Sequence, residues 1–236
     1  MSPRVLVVQH EDDDPIHRLG EWMAVDLDVR RPYLGDALPS SLVGYDALVV
    51  MGGVMGAHDD ATCPWLTPVK ELIREAATNG VLSLGICLGH QLTAVALGGE
   101  ALPNPRGRQL GLYDVGWEPD AHLDELFAAV ATPRGGAHWN DDIVTRLPEG
   151  ARVLARSGGD IQAARFAPTV WGVQWHPEVD EPLFRSWFVD SSTLDPVLAE
   201  QAVGAVAAVG DQLAEWWRPL GVRFAELASA RVSGRT

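Results

Sequence analysis

The sequence predicts an α/β fold of three layers, an open and mostly parallel sheet with helices on both faces. Two observations carry this. Short β-branched runs alternate with longer stretches of helical period, the pattern of strands joined by crossover helices. The early runs are also apolar at successive positions rather than at every second one, as strands buried on both faces require. With 47% hydrophobic residues in 236, the core of about one large domain is available.

Arg4 to Val8 reads as the first buried strand, Pro15 to Ala24 as a helix, Val25 to Val29 as a second strand and Asp46 to Met51 as a third, ended by Gly52 and Gly53. Leu66, Val69, Leu72, Ile73 and Ala76 recur at helical spacing over Leu66 to Thr78, and Asn79-Gly80 is a C-terminal stop. Val81 to Ile86 is the next strand and Leu88 to Leu97 the next helix. No charge falls between Ala76 and Gly99, yet Thr78, Asn79, Gly80, Ser83, Gly85, His90 and Gln91 interrupt the stretch, so it reads as strand, turn and helix, not as a membrane span. From Ala101 to Trp117, Pro103, Pro105 and Gly107 break the chain into short segments before strand-like Leu110 to Trp117, which predicts mixed, partly antiparallel structure. Arg152 to Arg156, Ile161 to Phe166 and Thr169 to Trp175 are spaced like hairpin strands. Residues 191–236 are Ala-rich and helical, with Val206, Val209, Leu213, Trp216 and Leu220 on one face and Pro219 expected to bend or stop the helix. That face needs a cover, either this domain or a partner. No internal repeat or low-complexity linker is visible.

Eighteen basic against 32 acidic residues give a net charge of −14, a field that repels nucleic acid and anionic membranes. Lys70 is the sole lysine and lies between Val69 and Glu71, so no phosphate loop ending in Gly-Lys-Ser/Thr exists. Cys63 and Cys87 could form one disulfide at most, which a core of this size does not need; a reducing, cytoplasmic compartment is expected. The acidic run Glu11 to Asp14 follows the first strand before any signal-peptide core can develop.

The sharpest chemical signal is Gly85-Ile86-Cys87-Leu88-Gly89-His90-Gln91, where a strand passes directly into a helix. A nucleophile on so tight a turn projects into the crevice at the carboxyl end of the sheet, and small flanking residues relieve crowding. The helix N-terminus favours a thiolate, and the backbone N–H of Leu88 can meet a developing oxyanion. The second signal is His176-Pro177-Glu178, whose spacing of two places both side chains on one face of an extended segment, so that Glu178 can orient His176 while it takes the thiol proton. The third is Gly52-Gly53 after the third strand, where Gly53 N–H is a candidate second oxyanion donor.

These residues resemble the class I glutamine amidotransferases over about Val5 to Phe188. Gly85 to Gln91 matches their G-x-C-x-G-x-Q element, His176 to Glu178 their terminal H-P-E, and Gly52-Gly53 falls at their Gly-Gly-Pro loop. The resemblance implies a flavodoxin-like amidotransferase fold over residues 1–190, with residues 191–236 as a C-terminal helical extension. It implies that Cys87 attacks the γ-amide of glutamine or a γ-glutamyl compound, leaving a γ-glutamyl thioester, and that Gly52, Gln91 and His138 serve the substrate pocket. Two departures stand out. Val54 replaces the loop proline, so φ is not fixed covalently and the loop is expected to order on substrate binding. His138-Trp139-Asn140-Asp141 carries one residue more than the family's His-x-Asp form, so Asp141 is left out of the site.

Other clusters read more plainly. The acidic runs after His10 and His58 are expected to be solvated loop faces, so no metal and no cofactor are expected. Cys63 reads as a loop thiol, and Trp171, Trp175 and Trp187 as core or pocket wall. No ATP-handling domain is expected, which leaves three functions. The chain is a stand-alone hydrolase of glutamine or γ-glutamyl amides, an ammonia donor to a separate synthetase, or a non-catalytic binding protein, the last disfavoured by the full set of triad residue types. A homodimer is left open.

Overall fold

Val5, Leu6, Val7 and Val8 are all fully buried, and they alternate between two cores: Val5 and Val7 join one, Leu6 and Val8 the other. The strand they form, β1 (Arg4–Val8), therefore lies in the middle layer. Alternation along a pleated strand sends successive side chains to opposite faces, and Ala47, Leu48, Val49 and Val50 repeat the pattern.

The computed structural model describes residues 2–132, 134–188 and 194–233. After β1 come α1 (His17–Met23), β2 (Asp26–Arg30), β3 (Ala47–Val50), α2 (Leu66–Asn79), β4 (Leu82–Ile86) and α3 (Leu88–Ala96). Then follow β5 (Glu100–Pro103), β6 (Gln109–Asp114), β7 (Gly135–Asn140), β8 (Asp142–Arg146), β9 (Arg152–Ser157), β10 (Asp160–Ala167), β11 (Val170–Val173), α4 (Glu181–Ser186) and α5 (Pro196–Ser233). The seven-stranded sheet runs β2-β1-β3-β4-β11-β10-β9. It is parallel from β2 to β11, and β10 and β9 join it antiparallel. Two antiparallel pairs, β5 with β8 and β6 with β7, stand beside it; β5 and β6 fall in the proline-broken stretch expected to be mixed, and β7 and β8 are strands that the sequence reading did not place. Edge strand β2 carries Asp26, Asp28 and Arg30, charges that discourage pairing with another chain. Among the described residues no helix is long and apolar enough to cross a membrane.

The C-terminal helix covers itself. Ala202, Val203, Val206, Leu213, Trp217, Leu220 and Phe224 belong to the same core as Val5 and Val7. Close approach to α1 is possible because residue 221 is glycine: a Cβ there would lie 3.1 Å from Trp22 Cβ and 3.2 Å from Leu19 Cδ1. Two expectations are corrected. The break lies at Gly210 (φ 27°, ψ −108°), and the helix continues through Pro219 to Ser233. An interior proline costs about 3 kcal/mol, whereas burying Trp217, Leu220 and Phe224 contributes roughly 1.5 to 3 kcal/mol each. Packing wins. The stripe also runs through Trp217, which is fully buried, and Trp216 is only half-buried; both fit the spacing from Leu213, and the tertiary contact chooses. The junction expected at residues 190 and 191 lies outside the described residues.

Candidate active site

The site forms where β1, β3, β4 and β11 end, at the carboxyl edge of the parallel sheet, the usual crevice for ligands in such sheets. Between β4 and α3 a single residue, Cys87, makes the turn. Its backbone stands at φ 50°, ψ −105°, a conformation that non-glycine residues rarely adopt. Its N–H donates to Val173 O at 2.8 Å, and its carbonyl accepts from Gln91 N at 3.1 Å, so the turn is held from both sides.

The flanking glycines follow from this geometry. A Cβ at Gly85 would stand 2.3 Å from Gly89 O, and one at Gly89 would stand 2.0 Å from Val50 O. Gly89→Ala is accordingly expected to destabilise the fold by about 3 kcal/mol, at the top of the overpacking range, with a fall in Tm of about 6 to 12 °C in thermal melts. An unchanged Tm would mean that β3 and α3 are not so closely packed.

Around the Cys87 sulfur, Gln174 Nε2 donates from 3.6 Å and the Trp139 carbonyl lies at 3.9 Å. His176 is 3% exposed, and its N–H donates to Ala137 O at 2.8 Å. It forms a single bridge to that strand and then the chain turns at Pro177 and Glu178, so the segment is not extended throughout as expected. The spacing of two still works: His176 Nδ1 meets Glu178 Oε1 at 2.7 Å, and Glu178 is fully buried. Burial works against a charged ring, but Glu178 and then Cys87 outweigh it and hold the His176 pKa well above its ordinary value. The other buried histidines behave oppositely. Burial pushes His10 and His90 down to about 3 and His138 to about 4, which keeps them neutral.

Asp14 is the functional candidate that the sequence reading missed. The run after His10 is not wholly a solvated face: His10 and Asp14 are 1% and 3% exposed, and Asp14 Oδ1 lies 3.7 Å from His176 Nδ1. No signal in the sequence singles it out, because acidic runs carry no period that says which member turns inward. Asp14, His176 and Glu178 also bring one donor atom each within 4.8 Å of one another, but a ring held as the imidazolium offers a cation no lone pair, so the three read as a proton-bearing group.

A cavity of about 590 Å³ opens over Cys87 and His176. Gly53, Gln91, Asn140, Asp141 and Trp187 are in its wall, together with Glu11, Asp59, Asp142 and Arg108. Gln91 is anchored by donation from Nε2 to Asp142 O at 2.9 Å. His138 is not in the wall. Its ring lies behind, with Nδ1 2.8 Å from Gly136 O and Nε2 2.7 Å from the side-chain amide of Gln162, because the pairing of β6 with β7 turns it toward Tyr113 and leaves residues 139–142 to face the cavity. Asp141, left out of the site by the sequence reading, does line the cavity and takes two hydrogen bonds from Arg108, at 2.7 and 2.8 Å.

Glycines 52 and 53 have separate reasons. A Cβ at Gly52 would stand 2.0 Å from Asp14 Oδ2 and 2.9 Å from His176 Cε1, so glycine there makes room for those side chains. At Gly53 a Cβ would meet Met55 Sδ at 2.7 Å, His10 Cβ at 2.9 Å and Leu88 Cδ2 at 3.2 Å, which brings Gly53 beside the first residue of α3. Val54 is 87% exposed.

The family model for class I glutamine amidotransferases matches residues 16–190. The chain belongs to that family. It is 31% identical over 182 residues to the glutamine amidotransferase-like protein YfeJ of Salmonella typhimurium, covering 74% of this chain and 75% of that protein. A γ-glutamyl-L-1-hydroxyisopropylamide hydrolase of a Pseudomonas species is 32% identical over 61% of this chain and 51% of its own length. A glutamine-hydrolysing GMP synthase of Aeropyrum pernix is 34% identical over 75% of this chain but only 33% of its own. A glutamine amidotransferase structure from Thermotoga maritima superposes with a TM-score of 0.83 at 23% identity, covering 96% of this chain and 99% of that one, a likeness of fold. The match to glutamine amidotransferase from Methylobacillus flagellatus has a TM-score of 0.81 at 26% identity, covering 96% and 95%.

Proposed function

We propose that this amidotransferase hydrolyses the γ-amide of glutamine or of a γ-glutamyl compound through a thioester on Cys87. The observation that carries the reading is the convergence of Cys87 and His176, 89 positions apart, with Glu178 bonded to the ring at 2.7 Å. The Cys87 sulfur attacks the amide carbon, and the N-terminal N–H of α3 at Leu88, with Gly53 N–H, receives the charge that develops on oxygen. The C–N bond breaks as His176 gives its proton to the departing nitrogen, releasing ammonia or an amine. Water then attacks the thioester carbon as His176 takes its proton, the C–S bond breaks to return the Cys87 thiolate, and glutamate leaves. Glu178 stabilises the imidazolium and fixes its tautomer. Glu11, Asp59 and Asp142 in the wall suit the α-ammonium group of a γ-glutamyl substrate, and Arg108 suits its α-carboxylate. Both cysteines are free thiols, which fits a reducing, cytoplasmic setting.

A second reading, ammonia donation to a separate synthetase, is favoured by similarity to a glutamine-hydrolysing GMP synthase subunit from Archaeoglobus fulgidus, 36% identical over 65% of this chain and 78% of its own length. The self-covered apolar face of α5 favours independent action. The purified chain, offered glutamine and several γ-glutamyl amides, is expected to release ammonia or amine without any partner. No turnover of any of them, while Cys87 still reacts with a small electrophile, would reject independent action in favour of the partner-dependent donor, whose site a partner completes.

A further inference from the structure

The loop between β1 and α1 delivers a second carboxyl to the ring that Glu178 already holds. Asp14 Oδ1 stands 3.7 Å from His176 Nδ1, the same nitrogen that meets Glu178 Oε1 at 2.7 Å. Both carboxyls are out of water, and each has an oxygen, Asp14 Oδ1 and Glu178 Oε2, with no hydrogen-bond partner among the described residues. Buried polar atoms are rarely left so. The fold makes space for the arrangement: any side chain at Gly52 would strike Asp14 Oδ2, at 2.0 Å from its Cβ. Nearby cations are otherwise engaged, since His17 and Arg18 of α1 reach Asp180 at 3.1 and 3.3 Å.

We propose that Asp14 is a positioning residue of the active site, a neutral carboxylic acid that shares its proton with Glu178 and thereby fixes the carboxylate that steers His176. Carboxyl oxygens of Asp14 and Glu178 come within 4.8 Å of each other, and two neighbouring acceptors are satisfied together when one of them carries a proton. One negative charge then balances the imidazolium instead of two. The electrostatics agree: burial first, then Glu178 and Glu11, hold the Asp14 carboxyl well above the usual carboxylate range, and His176 only partly opposes them. Glu11 is raised in turn by its own burial and by Asp13. The inference rests on the reading of Cys87 and His176 as nucleophile and base.

Two variants test it. Asparagine keeps the shape and donor of a protonated aspartate, so Asp14→Asn is expected to retain kcat within about threefold and the wild-type pH profile. Asp14→Ala frees Glu178 and is expected to lower kcat at least about tenfold with KM little changed, the signature of an interaction made in the transition state. Stability gives a readout independent of turnover. A carboxyl whose folded pKa is raised keeps a proton that the unfolded chain gives up above its ordinary value of 3.8, so wild-type stability falls as pH rises beyond that point. Asp14→Asn lacks this loss, and its Tm advantage over wild type should grow from acid to neutral pH. Asparagine as damaging as alanine, with a displaced pH limb, would show that Asp14 acts as a charge. Wild-type kcat in Asp14→Ala would show a bystander. Either result overturns this inference alone while Cys87→Ala and His176→Ala are inactive; activity in those two would overturn the reading beneath it.

Discussion

Replacing Cys87 with alanine is expected to abolish turnover, a loss of at least about 10⁴-fold in kcat/KM, because the proposed acyl intermediate is carried on its sulfur. The effect should be chemical and not structural. Cys87 takes a strained turn (φ 50°) that alanine adopts no less readily, and its backbone bonds to Val173 and Gln91 do not involve sulfur. The melting temperature of Cys87→Ala should therefore stay close to wild type. Cys63, half-buried in a loop and away from the cavity wall, should be replaceable without loss. Ammonia or amine release and thermal melts on both variants check this, and the opposite pattern would move the nucleophile to Cys63.

The second large effect is expected at the histidine. His176→Ala should be nearly dead, whereas Glu178→Gln should retain measurable activity with a loss of about 10² to 10⁴, the scale of a triad carboxylate replaced by its amide. The pH dependence separates the two roles. Against the opposing effect of burial, Glu178 and then Cys87 raise the pKa of His176, so its imidazolium persists as pH climbs past 6.5. The stability this adds is fully present below that pH and is lost as pH rises through the folded value. Removing the charge of Glu178 lowers that folded value, so the alkaline limb of kcat/KM in Glu178→Gln should move to lower pH. A limb that stays in place, with activity lost all the same, would make Glu178 a packing residue. A full acyl-enzyme burst from His176→Ala with an activated γ-glutamyl substrate would remove His176 from thiolate formation.

Much of the sheet was legible because its strands are buried on both faces. Continuous apolar runs placed β1, β3 and β4 within a residue or so of their ends, and the proline and glycine breaks pointed to the short strands β5 and β6, whereas their antiparallel partners β7 and β8 were not read from the sequence. The candidate nucleophile was legible for a local reason: Gly85 and Gly89 stand where a Cβ would strike Gly89 O and Val50 O, and such crowding leaves a mark in the sequence itself. The pairing of His176 with Glu178 was legible because a spacing of two limits where the side chains can go.

What was not legible depends on contacts between distant segments. Asp14 looks like its exposed neighbours Asp12 and Asp13 until β3 brings Gly52 against it. His138 carries a residue type that suits a pocket, yet Gln162, 24 positions on, draws its ring away from the cavity. Along α5, Trp216 and Trp217 fit the helical period about equally, and Pro219 has the local chemistry of a helix stop; the core under Trp217 and Leu220 decides both.

The most direct measurement of the central claim is mass spectrometry of protein quenched in acid during turnover of a γ-glutamyl amide. The account predicts one added γ-glutamyl group on the peptide that carries Cys87, labile to base as a thioester is and absent from Cys87→Ala. Steady hydrolysis by Cys87→Ala, or a γ-glutamyl group found on Cys63 instead, would contradict it.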